Sequence, residues 1–215
     1  WQMKKVFLKG CKNGIVYVFD AATGEALHIL EPPSLRRTPN AQLLNPRSKE
    51  DMTKPWQHYP STTPVWQNCP GTGCLESDLA FDPERNMIFF ATYNAPGLLQ
   101  IIPVELRGQF GQRAVPNPPP VPTNYTLNAY NVDTGRLIWE YHSNTAPGYR
   151  GGVMTSGGVV YTNAIDGFLR GHDADTGKVL FEKAIPSTSA VMPTMGADSD
   201  GKMRLFFIIG GAGSW

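Results

Sequence analysis

The chain has 215 residues, among them 22 glycines and 19 prolines, with 17% charged residues and a formal net charge of +1. That composition excludes a helical bundle and favours a turn-rich β protein with one substantial core. The mixed, near-zero charge leaves no electrostatic footprint for nucleic acid, and no apolar run approaches the roughly 18 residues a membrane-spanning helix needs.

Residues 4–9 and 14–20 read as two antiparallel strands joined at Cys11-Lys12-Asn13-Gly14, where Asn-Gly is a strong hairpin turn. Residues 25–31 return as a third strand. From 32 to 64 periodicity is lost among Pro, Arg, Asn, Gln and Lys, so a long surface insertion is expected. Cys69 and Cys74 flank a glycine-rich turn. They either close a small disulfide loop or stay as two reduced thiols, and no nearby Cys or His completes a zinc set. A further hairpin is predicted over residues 79–82 and 87–92, turning at Pro83-Glu84-Arg85-Asn86. Residues 93–123 form a second irregular excursion, ending in a proline run that excludes a central strand. From there the chain is dense in strands: 125–131, 136–142, 152–155, 158–163, 167–173, 178–184 and 203–209.

One signature recurs three times: Asp20-Ala21-Ala22-Thr23-Gly24-Glu25, Asn131-Val132-Asp133-Thr134-Gly135-Arg136 and Asp173-Ala174-Asp175-Thr176-Gly177-Lys178. Each follows an apolar or aromatic run, and each precedes another carrying a bulky ring: His28, Trp139 and Phe181. A strand, a Thr-Gly turn and a returning strand make a hairpin, and a repeated hairpin buries its apolar face only by stacking on its copies. The step from Asn131 to Asp173 is close to the roughly 40–45 residues of one four-stranded propeller blade. The longer step from Asp20 to Asn131 fits two blades plus insertions. The expected fold is therefore an all-β propeller of four-stranded antiparallel blades, about four of them over residues 1–215, with irregular insertions at about 32–64 and 93–123. Both ends read as the interior of a longer chain.

The signature resembles the tryptophan-docking repeat of pyrroloquinoline quinone (PQQ)-dependent dehydrogenases. Trp139 fits the repeat fully, Phe181 keeps the packing without an N–H donor, and His28 departs from it. Lys12-Asn13-Gly14-Ile15-Val16-Tyr17, Asn68-Cys69-Pro70 followed by Phe81-Asp82-Pro83, the run from Gly151 to Tyr161 and Gly210–Trp215 also resemble blocks in the second half of quinoprotein methanol and alcohol dehydrogenases. The resemblance implies about half of an eight-bladed propeller, a periplasmic or otherwise extracytoplasmic location, and oxidation of a primary alcohol to an aldehyde. It implies PQQ with Ca²⁺ or a lanthanide, a c-type cytochrome as electron acceptor, and the N-terminal half of the propeller as partner.

Four residues carry the implied cofactor wall. Lys12 stands where the family places a Lys or Arg against the quinone oxygens; a fixed ammonium there stabilises negative charge that builds on reduction. A lysine in an arbitrary Asn-Gly turn is merely solvated, so its place among the blocks carries the reading. Asn94 matches a PQQ-binding Asn, whose amide both donates and accepts; an Asn that ends a strand and caps a turn is the competing use. Arg150, before Gly151-Gly152, replaces a family Trp; it either binds a carboxylate bidentately or is a rim residue with Tyr149 supplying the aromatic, while the glycines serve close packing. In the family a Cys just after the PQQ-binding Asn pairs with the Cys-Pro cysteine; here Ala95-Pro96-Gly97 follow, leaving Cys74 as a substitute partner. The family's catalytic Asp and metal ligands lie upstream of the Lys12 block, so this chain is expected to hold neither and to be inactive by itself. The alternative is a non-catalytic scaffold or interaction propeller built from similar repeats.

Overall fold

The computed structural model describes residues 4–36, 65–67, 69, 74–94, 97–101, 112–114, 124–143, 152–164, 167–187 and 191–210. More than half of these residues lie in strands, with one 3-10 turn at Pro33–Arg36 among them.

The first sheet is β1 (Val6–Gly10), β2 (Val16–Asp20) and β3 (Ala26–Leu30) in sequence order, all antiparallel. The second contains β5 (Ala80–Asp82), β6 (Met87–Asn94), β9 (Asn124–Asn131) and β10 (Leu137–Ser143) in the order β10-β9-β6-β5. The third is a four-stranded meander of β11 (Val153–Ser156), β12 (Val159–Ala164), β13 (Phe168–Asp173) and β14 (Val179–Ala184). A hairpin of β15 (Thr194–Ala197) and β16 (Met203–Phe206) follows. The strand expected over 203–209 corresponds to β16, while β15 has no counterpart in the sequence pattern because its Gly196 weakens the strand signal.

The second sheet is buried on both faces, which is why β6 shows no alternation between buried and exposed positions. Ile88 and Phe90, with Tyr130, pack on Val16, Val18 and Leu30 of the first sheet. Phe89, Leu127 and Ala129 pack on Val153 and Val160 of the third. Sheets stacked face to face in chain order are the blades of a propeller.

The interval 93–123 corrects the expectation of an irregular excursion. Residues 93 and 94 complete β6, and β7 (Gly97–Ile101) and β8 (Gln112–Ala114) join β4 (Val65–Gln67) in a separate sheet, order β4-β7-β8. These strands are short, and β4 is distant in sequence, so local periodicity could not reveal them. The chain leaves the blade after Asn94 and returns at Asn124, its direct partner across β6 and β9. A long detour of this kind costs little, because loop-closure entropy grows only logarithmically with length.

The three Thr-Gly turns share one construction. The N–H of Gly24, Gly135 and Gly177 donates to the carbonyl of Asp20, Asn131 and Asp173, at 2.9, 2.9 and 2.8 Å. In the latter two, the Thr hydroxyl also donates to the Asx side chain, 2.9 Å for Thr134 and 2.7 Å for Thr176. Each returning strand then skips one residue: register shifts pair Val18 with His28, Ala129 with Trp139 and Gly171 with Phe181. Such a bulge re-aims the next side chain.

Trp139 shows the result. Its ring covers Gly177, where an added Cβ would lie 2.6 Å from Cε3, and its Nε1–H donates to the Ala174 carbonyl at 2.9 Å. The second blade is thereby fastened to the turn of the third. His28, expected to break the pattern, makes the equivalent contact one blade earlier: an added Cβ on Gly135 would meet Nδ1 at 2.6 Å, and Nε2 lies 2.9 Å from the Asp133 carbonyl. Phe181 differs from its expected packing role. It lies over Gly171 of its own sheet and remains 40% exposed.

Candidate functional site

Lys12 is set by the β1–β2 turn. Asn13 points inward, donating to the Tyr17 hydroxyl at 2.9 Å while its Oδ1 accepts the Ile15 N–H at 3.1 Å. Gly14 closes the turn on the Cys11 carbonyl at 2.9 Å. With Asn13 fixed inside, Lys12 is directed outward, and its side chain is 67% exposed. It stands on the wall of a cavity of about 770 Å³ between the end of β1 and residues 75–79.

Across that cavity the Lys12 ammonium pairs with Glu76, whose side chain is only 14% exposed. Ser77 also lines the space, and its buried Oγ has no hydrogen-bond partner. Apolar walls come from Leu8, Leu75 and Leu79. Lys9 and Asp78 also line it, so the cavity combines three leucines with two ammonium and two carboxylate groups.

Asn94 sits in a different environment, 1% exposed at the end of β6. Its Nδ2 donates to the Ser34 carbonyl, and its buried Oδ1 has no partner. It ends a polar row on one face of the sheet, in which the Thr92 and Thr126 hydroxyls are 2.6 Å apart and Asn128 Nδ2 donates to the Phe90 carbonyl at 3.2 Å. Asn124, opposite Asn94, has both amide atoms buried and unpartnered.

One residue links these two environments. The Cys74 N–H donates to the Lys12 carbonyl at 2.7 Å, and the Cys74 carbonyl accepts the Tyr93 N–H at 2.8 Å. Cys74 is itself tied to Cys69 by a disulfide with a Cα–Cα distance of 5.0 Å, which decides between the two alternatives left open by the sequence. Lys12 and the Tyr93-Asn94 strand end are thus bonded to opposite sides of a single cross-linked residue. Arg150 and Gly151, the other two expected cofactor contacts, lie outside the described residues. Their neighbour Gly152 shows the close packing expected of the glycine pair: a Cβ there would fall 2.2 Å from the Met192 Cα.

Glu76 and Ser77 were not read as site residues from the sequence. No motif marks them, and only the approach of the 74–79 segment to β1 reveals their place. Among the described residues no group of three or more His, Cys, Asp or Glu forms a metal site, so no metal-assisted step is derived from them.

No family model matches the chain. It is 35% identical to a quinoprotein alcohol dehydrogenase of Pseudomonas putida over 89 residues, 41% of this chain and 14% of that protein. It is 31% identical to methanol dehydrogenase (cytochrome c) subunit 1 of Methylobacterium organophilum over 123 residues, 53% of this chain and 20% of the relative. With the lanthanide-dependent methanol dehydrogenase of Methylacidiphilum fumariolicum it shares 24% identity over 218 residues, 95% of this chain and 34% of the relative. Among solved structures, the quinohemoprotein alcohol dehydrogenase of Comamonas testosteroni superposes with a TM-score of 0.76 at 20% identity, covering 96% of this chain and 32% of that one. A europium-containing methanol dehydrogenase gives 0.70 at 18% identity, covering 95% and 36%. At these identities the structures speak for the fold alone. The chain spans about a third of the length of these dehydrogenases at most. Its homologues are quinoprotein methanol and alcohol dehydrogenases, and its sheets superpose on part of the propeller fold of such enzymes.

Proposed function

We propose that this chain forms part of the cofactor-holding propeller of a PQQ-dependent dehydrogenase that oxidises a primary alcohol to an aldehyde. The observation that carries the proposal is Lys12, whose ammonium stands on the wall of the cavity between β1 and residues 75–79 in a chain related to quinoprotein dehydrogenases. When bound, PQQ accepts the two electrons released by the alcohol. The residues present suit such a ligand. Lys12 offers an ammonium with three donors, of which Glu76 engages one side. Asn94 lies outside that cavity's lining, and its buried, unpartnered Oδ1 is an acceptor that only a donor group of a ligand or a water would satisfy. On the wall of that cavity the ammonium offers positive charge to ligand oxygens placed before it.

In this proposal Arg150 and Gly151 are further cofactor contacts. The catalytic base and the ligands of a Ca²⁺ or lanthanide ion belong to other parts of the protein, so this chain alone is expected to be inactive. Electrons pass onward to a c-type cytochrome in this reading. A location outside the cytoplasm is supported by the Cys69–Cys74 disulfide, since such bonds persist in oxidising compartments. Among the described residues no helix is long and apolar enough to cross a membrane.

The test is an absorption spectrum and a PQQ titration of the purified protein that contains this chain. A copurifying or saturably bound quinone is expected, with binding weakened severely by Lys12→Ala while the thermal midpoint of the apoprotein is unchanged. A protein that neither holds nor takes up the quinone overturns the proposal.

A further inference from the structure

Resting on the cofactor reading above, we infer that Glu76 is a positioning residue that holds the Lys12 ammonium in place at the cavity. The two partners are unequal. Lys12 has a long, flexible stem with its side chain 67% exposed, whereas the Glu76 side chain is 14% exposed. Free in water, such a lysine samples many rotamers, and a ligand that needs one of them must pay that ordering on binding.

The Glu76 end is anchored. Two residues before it, Cys74 is cross-linked to Cys69 and bonded through its backbone to Lys12 on one side and Tyr93 on the other. Leu75, between them, is 3% exposed in the core shared by the first and second sheets. The carboxylate is therefore presented from a fixed backbone, and the ammonium follows it into the cavity. An ammonium has three donors, so the pair leaves others for ligand oxygens. The carboxylate also lowers the net positive charge facing the ligand. Placement and charge thus predict opposite signs: if Glu76 only neutralised Lys12, removing its charge would tighten binding of an anionic quinone.

The experiment is a PQQ titration of the apo form of the whole protein, followed by absorbance, for Glu76→Gln, Glu76→Asp, Lys12→Ala and the two Glu76 substitutions combined with Lys12→Ala. Thermal midpoints of each apoprotein are measured in parallel. Glu76→Asp keeps the charge and withdraws it by one methylene, and Glu76→Gln removes the charge. Both are expected to weaken binding by about tenfold, and both effects vanish once Lys12 is alanine, because contacting residues couple non-additively. Wild-type affinity in Glu76→Asp, tighter binding in Glu76→Gln, or an undiminished loss in the Lys12→Ala background overturns the inference and leaves the cofactor reading standing. If Lys12→Ala itself binds PQQ normally, the cofactor reading fails and the positioning role falls with it.

Discussion

The imidazole of His28 lies against Gly135 of the next blade, with Nε2 2.9 Å from the Asp133 carbonyl oxygen. A carbonyl only accepts, so Nε2 carries the proton and the ring is a donor, as the Trp139 indole is toward Ala174. The smaller ring reaches the carbonyl of the third turn residue, where the indole takes the second. Replacing His28 with Ala removes a ring contact and a hydrogen bond, and should lower stability by about 1–2 kcal/mol in urea unfolding. Gly135→Ala should cost more, because φ is +65° there and the new Cβ would overlap the ring. Equal stabilities of wild type and His28→Ala would dismiss the docking role.

Trp139 is buried among Phe89, Val153 and Val160. Trp139→Ala should cost about 3–5 kcal/mol, the range for emptying a large aromatic site. Trp139→Phe keeps most of the packing and leaves the Ala174 carbonyl unpartnered, for a smaller loss of about 1–3 kcal/mol. Unfolding midpoints that rank the two variants in the reverse order would contradict this division.

His172 provides a pH dependence. It is 1% exposed, stacked with Trp139 and edge-on to Tyr141, with Nδ1 3.1 Å from the Gly177 carbonyl. Burial pushes its pKa below the ordinary value near 6.5, only partly opposed by the Gly177 hydrogen bond. The unfolded chain then binds a proton that the folded chain refuses, so stability rises with pH in this window. The contribution is intact above about pH 6.5 and is lost progressively as pH falls below it. Unfolding curves between pH 7.5 and 5 should show this slope in the wild type, and His172→Gln should flatten it.

The Cys69–Cys74 bond encloses few residues. By the loop-entropy argument, Cys69→Ser should cost about 2 kcal/mol. The more telling change is local: hydrogen exchange at the Cys74 and Tyr93 amides, which hold Lys12 and the end of β6 together, should accelerate more than exchange across β12–β13. Uniform acceleration would mean that the disulfide acts on global stability and not on this junction.

The spacing of the Thr-Gly turns, the ring after each, and the Asn13-Gly14 hairpin were sufficient to derive a stacked β fold with Lys12 in a hairpin turn. Those features are local: a Thr hydroxyl bonding back to an Asx side chain and a glycine at positive φ work in any context with the same neighbours. What depended on distant segments could not be read this way. Sequence alone determined the repeat and therefore the blades. Only the tertiary structure decided that His28 would substitute for an indole, that Cys69 would bond Cys74, that β4 would pair with β7 across the insertions, and that Glu76 would meet Lys12. Each of those is a contact between chain segments brought together by packing, where side-chain reach and the direction of the backbone, rather than local residue preference, set the outcome.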